Sequence, residues 1–114
     1  MLTSGDVVDL DVGQPRGREA GYRHPAVVIT AQQVLDQSPS VVHVVPLTST
    51  LRSFESEVAI APDRANGLDV ASSAQCQHLR AASPERVVAV RGNVGHVVLA
   101  QLRDRVAMLL DLHS

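Results

Sequence analysis

Five short runs of β-branched residues constrain this chain more than any other feature: "DVVDLDV" at 6–12, "PAVVIT" at 25–30, "VVHVVPLT" at 41–48, "EVAI" at 57–60 and "RVVAV" at 86–90. Each is too short for a stable helix, rich in Val, and set off by Gly, Pro, Asn or Ser. Such runs read as strands. Aromatic residues make up only 2% of the chain, Tyr22 and Phe54, so Val, Leu, Ala and Ile must build the core. The runs predict strands over Asp6–Val12, Ala26–Thr30, Val41–Leu47, Glu57–Ile60 and Val87–Val90, with one or two more between Leu68 and Leu79. Pro25 falls at the first position of its strand, where proline is tolerated. The third strand is almost continuously apolar, which predicts burial on both faces.

The tail changes period. Val98, Leu99, Leu102, Val106, Leu109 and Leu110 recur at helical spacing, which predicts an amphipathic helix of about 15 residues lying on the sheet. "AQQVLDQSPS" is a polar connection with room for one helical turn. In "ASPER", Ser83 reads as a cap and Pro84 as a first helical position. Five to seven short strands with a terminal helix predict a small, strongly bent antiparallel sheet or barrel. The 114 residues fit a single domain spanning 1–114.

Charge narrows the function classes. A formal net charge of −2 argues against a binder that coats nucleic acid with its whole surface, while leaving room for a local basic groove. All ten basic residues are arginine, whose planar fork suits phosphate, although a GC-rich genome would produce the same bias. The single cysteine, Cys76, excludes an internal disulfide. No 18-residue apolar run and no signal-peptide pattern occur, which points to a cytoplasmic protein without a membrane span.

Few residues could carry chemistry. Cys76 and His78 form C-x-H without a partner pair, so no zinc signature exists, and neither a metal nor a cofactor is expected. P-loop, G-x-S-x-G and H-E-x-x-H patterns are missing. The polar stretch Gly13–His24 is long enough to be functional. It carries Arg18, Glu19, Arg23 and His24 and runs through Pro25 into an apolar strand. Thr48 and Ser49 close the third strand, where hydroxyls often do no more than satisfy backbone groups.

In order, "GDVVDLDVGQPRGREAGYRHPAVVIT", "VVPLTST", "GLDVASSAQCQHLRAASPERV" and "RGNVGHVVLAQLRDRVAMLLDL" resemble the MazF/PemK family of toxin–antitoxin modules, over about residues 5 to 112. The resemblance implies an SH3-like or CcdB-like small barrel of five to seven antiparallel strands with a C-terminal helix, working as a homodimer. It implies metal-independent, sequence-selective cleavage of single-stranded RNA to 2′,3′-cyclic phosphate and 5′-hydroxyl ends. A cognate antitoxin would block the RNA groove with an extended segment.

The family's Arg before proline and its Thr in "P-x-T" carry the chemistry. The second matches Thr48; His24 stands where the first would be, with Arg23 one position earlier. By position His24 is the catalytic member of the pair; the alternative gives the family Arg's work to Arg23. Glu19 matches the family's acidic loop residue. The "E-Q-I-R" segment falls on Gln77, His78, Leu79 and Arg80. The aromatic residue common in the first strand falls on Asp9. The resemblance thus yields Arg23, His24 and Thr48 as catalytic candidates and Arg18, Glu19, Ser49, Gln77, His78 and Arg80 as RNA contacts. A non-catalytic relative on the same barrel, CcdB-like or degenerate, is the second reading.

Overall fold

In a computed structural model, residues 1–13 and 23–112 are described. The strands are β1 (Asp6–Asp11), β2 (Arg23–Val28), β3 (Val42–Thr48), β4 (Glu57–Ile60), β5 (Ser72–Gln75), β6 (Arg80–Ala82) and β7 (Val87–Asn93). The helices are α1 (Gln32–Leu35) and α2 (Gly95–Leu109), and tight 3-10 turns cover Cys76–His78 and Pro84–Arg86. All pairings are antiparallel, and the sheet runs β4-β5-β3-β2-β1-β7 with β6 also on β3. The expected small β architecture with a terminal helix is what forms. No helix among the described residues is long and apolar enough to cross a membrane.

Paired valines explain why both sheet faces are buried. Successive strand residues point to opposite faces. Val7, Val27 and Val45 therefore join Leu47, Leu102 and Val106 beneath α2, while Val8, Val28, Val42 and Val44 form a second cluster with Leu35 of α1. Each fully buried Val contributes about 1.5–3 kcal/mol relative to exposure. Such short strands can hold together on that basis without aromatic residues. Register shifts between Val7 and Val8 and between Asp9 and Leu10 interrupt the β1–β7 ladder. Irregularities of this kind bend a strand and increase its twist.

Three sequence expectations need correction. First, β2 starts at Arg23 rather than Ala26, because Arg23 and His24 pair with Asp11 and Leu10 of β1. Pro25 is thus inside the strand, opposite Asp9. Its missing N–H is tolerable because the β2–β3 ladder extends only over Ala26–Val28. Second, β3 is not buried on both faces throughout, since His43 is exposed. Third, Leu109 and Leu110 do not complete the buried stripe of α2: the buried residues are Leu99, Leu102 and Val106. The reading of "ASPER" holds in a 3-10 turn over Pro84–Arg86, with the Ser83 side chain accepting a hydrogen bond from the Glu85 N–H.

Candidate active site

The end of the β2–β3 ladder positions the site. Ala26 faces Pro46 in the last pair. Beyond it β3 uses its other edge, where Leu47 and Thr48 pair with Ala74 and Ser73 of β5. Neither Pro25 nor Pro46 has an N–H with which to prolong the ladder. The start of β2 and the end of β3 together line a hollow of about 320 Å³, with Arg23, His24, Thr48 and Ser49 in its wall. Asp69, Ser72 and Arg91 complete its polar lining.

A second hollow, of about 270 Å³, has His24, Gln75, His78 and Arg80 beside Leu10 and Val44. His24 therefore lines both. Half-buried at the head of β2, it shares a sheet face with Ala26 and Val28. Arg23, its exposed neighbour, lines only the first hollow. The adjacency of Arg23 and His24 has a structural consequence: one strand end supplies side chains to two recesses.

Thr48 sits where its hydroxyl serves both backbone and solvent. Its Oγ1 accepts a hydrogen bond of 3.1 Å from the Thr50 N–H, a tight turn closed by a side chain. Accepting that bond uses a lone pair and leaves the hydroxyl hydrogen to donate.

The loop after Thr48 is anchored at Glu57. This carboxylate is buried, yet it accepts hydrogen bonds from Ser73 Oγ at 2.9 Å and Gln77 Nε2 at 2.6 Å, and it pairs with Arg52. Burial alone would raise its pKa. The hydrogen bonds from Gln77, Arg52 and Ser73, together with the Arg52 charge, outweigh burial and hold it below the ordinary value. Arg52 also lies 4.5 Å from the centroid of the Phe54 ring. Ser56 Oγ donates to Gln77 Oε1 at 3.0 Å, tying the same loop to the 3-10 turn.

The sequence-derived candidates thus divide. Arg23, His24, Thr48 and Ser49 come together in one hollow, and His78 and Arg80 join His24 in the other. Gln77 lines neither hollow; its amide is engaged by Glu57 and Ser56. Arg18 and Glu19 lie outside the described residues. Among the described residues, no three His, Cys, Asp or Glu side chains are grouped as ligands for a metal. Cys76 is buried against α2, and burial pushes its thiol up to about 11, so it stays protonated and packs as a small apolar group.

A family profile described as PemK-like, MazF-like toxin of type II toxin–antitoxin system matches residues 3–110. The chain belongs to this family. It is 30% identical over 118 residues to the endoribonuclease MazF9 of Mycobacterium tuberculosis, covering 100% of both chains. In fold it resembles MazF in a MazE–MazF crystal structure from Deinococcus radiodurans, with a TM-score of 0.77, 23% identity and 96% of each chain covered. It also resembles an endoribonuclease solved with its cognate antitoxin from Mycobacterial species, with a TM-score of 0.77, 18% identity and coverage of 100% and 99%.

Against the MazF/PemK pattern, one polar arrangement was not foreseen. Asp9, at the position of the usual aromatic residue, lies 3.8 Å from Arg91 of β7, and Arg91 reaches Asp69 at 3.0 Å. Arg91 lies two residues before the end of a strand whose alternating exposure places Val87, Ala89 and Arg91 on one side. That alternation was the available signal, but the "VVAV" run alone does not reveal that β7 continues to Asn93.

Proposed function

We propose that this chain is an endoribonuclease toxin that cleaves single-stranded RNA by transesterification and is neutralised by a cognate antitoxin. The carrying observation is that Arg23, His24 and Thr48, from two different strands, converge on one hollow. The RNA's own 2′-oxygen attacks the adjacent phosphorus as the bond from phosphorus to the 5′-oxygen breaks. The 2′-hydroxyl gives its proton to a base, and the leaving 5′-oxygen takes one from an acid. The products are a 2′,3′-cyclic phosphate and a 5′-hydroxyl. Charge grows on the non-bridging oxygens, where Arg23 and the Thr48 hydroxyl can stabilise it.

An imidazole exchanges protons near neutral pH, whereas a guanidinium does not. This favours His24 as the proton-transfer group and Arg23 as the fixed cation. His78 and Arg80, which line the adjoining hollow, would contact a flanking nucleotide. Because the nucleophile belongs to the substrate, the step needs no metal. The resemblance to MazF proteins supports a homodimer acting in the cytoplasm, and the antitoxin complexes of relatives support an inhibitor that competes for the same groove.

The test is incubation of the purified protein, free of antitoxin, with long single-stranded RNA in the presence of a chelator. Discrete fragments bearing 5′-hydroxyl ends are expected. A 5′-phosphate, or activity abolished by the chelator and restored by a divalent ion, would overturn the mechanism. RNA binding without cleavage would instead support the non-catalytic reading, for which His24 in place of the family Arg is the motivating feature.

A further inference from the structure

We propose that Arg91 is a phosphate-contacting residue of the RNA groove and that the Asp69 carboxylate occupies its guanidinium until RNA arrives. This rests on the ribonuclease reading above and adds to it a residue from a different strand. Arg91 lines the same hollow as Arg23, His24 and Thr48. It is held from two sides by carboxylates of unlike character. Asp9, from the middle of β1, has a side chain 24% exposed and stands 3.8 Å away. Asp69, on the rim, is 89% exposed and makes the closer contact at 3.0 Å.

These positions imply different jobs. Asp9, mostly buried and outside the hollow's lining, pairs with one arm of the guanidinium from the β1 side. Asp69 offers carboxylate oxygens to the fork from the solvent side, the side from which a phosphodiester would come. Carboxylate and phosphate present similar oxygen geometry to a guanidinium. An exposed ion pair of this type is weak, worth no more than about fivefold in an equilibrium constant, so a polyanion can displace it.

The rim is also positioned by its own architecture. Asn66 accepts from the Asp63 and Leu68 N–H groups and donates to the Ala61 carbonyl. The Asn93 N–H donates to the Ala65 carbonyl at 2.9 Å. Gly67 and Gly92 allow this loop to press on β7: a Cβ on Gly67 would lie 2.3 Å from the Arg91 carbonyl oxygen. Asp69 is therefore carried by a segment docked on the backbone of Arg91 itself.

The test measures binding of a short, fluorescently labelled, single-stranded 2′-O-methyl RNA of random sequence across a salt series, alongside steady-state cleavage of unmodified RNA. Arg91→Gln should weaken binding about threefold to tenfold and flatten the slope of log K against log salt by about 0.7, the share of one phosphate on a single strand. Asp69→Asn should tighten binding about twofold to fivefold, and this gain should vanish in the Arg91→Gln background. Asp9→Asn/Arg91→Gln guards against a fold defect from an unpaired Asp9 and should bind like Arg91→Gln. An unaltered slope in both Arg91 variants, or an equal gain from Asp69→Asn with and without Arg91, overturns the assignment while leaving the ribonuclease reading in place. Wild-type protein that neither binds nor cleaves RNA overturns both.

Discussion

Replacing Glu57 by Gln isolates what a buried charge contributes to the loop that follows Thr48. The Glu57 side chain is 1% exposed and that of Arg52 is 36% exposed, so the arginine can rehydrate but the carboxylate cannot. Glutamine keeps the shape, and the Ser73 hydroxyl can rotate to suit an amide. What disappears is the charge behind the bonds from Gln77 and Arg52. The Gln77 bond falls from charge-assisted, about 1.5–3 kcal/mol, to neutral, about 0.5–1.5, a loss of about 1 kcal/mol; the Arg52 bond stays charge-assisted through the guanidinium but loses its ion pair, about 1 kcal/mol more. Glu57→Gln should therefore destabilise by about 2 kcal/mol, a fall in Tm of roughly 6–10 °C for a chain of this size.

The pH dependence should follow the same residue. The folded-state pKa of Glu57 is below its ordinary value, so its contribution is complete above the ordinary carboxylate range. It is lost as pH falls through the folded value. Thermal melts at neutral pH should separate wild type from Glu57→Gln, and the gap should narrow on acidification. Arg52→Ala should cost less, about 1 kcal/mol or under, because its partner keeps two donors. Equal or higher stability in Glu57→Gln would mean that desolvating the carboxylate outweighs its hydrogen bonds, and would refute the reasoning.

Thr48→Ala should lower kcat by about 10² to 10³, the typical effect of losing one donor to a transition-state oxyanion, while Tm moves little; unchanged turnover would return Thr48 to its turn-closing role. His24→Gln should remove one limb of the pH–rate profile, whereas Arg23→Gln should lower the rate at every pH. Full activity in His24→Gln with a dead Arg23→Gln would assign the family Arg's work to Arg23. Gly67→Ala should cost roughly 2–3 kcal/mol in chemical denaturation, because φ is +67° and the new Cβ would meet β7 backbone; a cost below about 0.5 kcal/mol would show that the loop yields.

Local chemistry made much of this protein legible before any coordinates. Strands appear at the β-branched runs because such side chains fit a pleated, half-buried surface. The helix at 95–109 appears because its apolar residues recur at its own period. Arg23, His24 and Thr48 could be named because short motifs keep them at characteristic distances from Pro25 and Pro46.

Pairing partners decided the rest, and these lie far away in the chain. Arg23 and His24 are strand residues because Asp11 and Leu10 are beside them, a fact that no local propensity carries. Gln77 looked free to meet RNA until β4 brought Glu57 to it. Arg91 enters the hollow only because β7 pairs with β1, with Asp9 and Asp69 arriving from separate segments to hold it. The sequence by itself determined the valine-rich strands and the terminal helix, since side-chain shape and apolar period act over a few residues; β6, Arg80–Ala82, has no such residues and is a strand because it pairs with β3. Tertiary structure alone decided which polar groups share a hollow, since that depends on register between strands distant in the chain, and a shift of one residue would send each side chain to the other face.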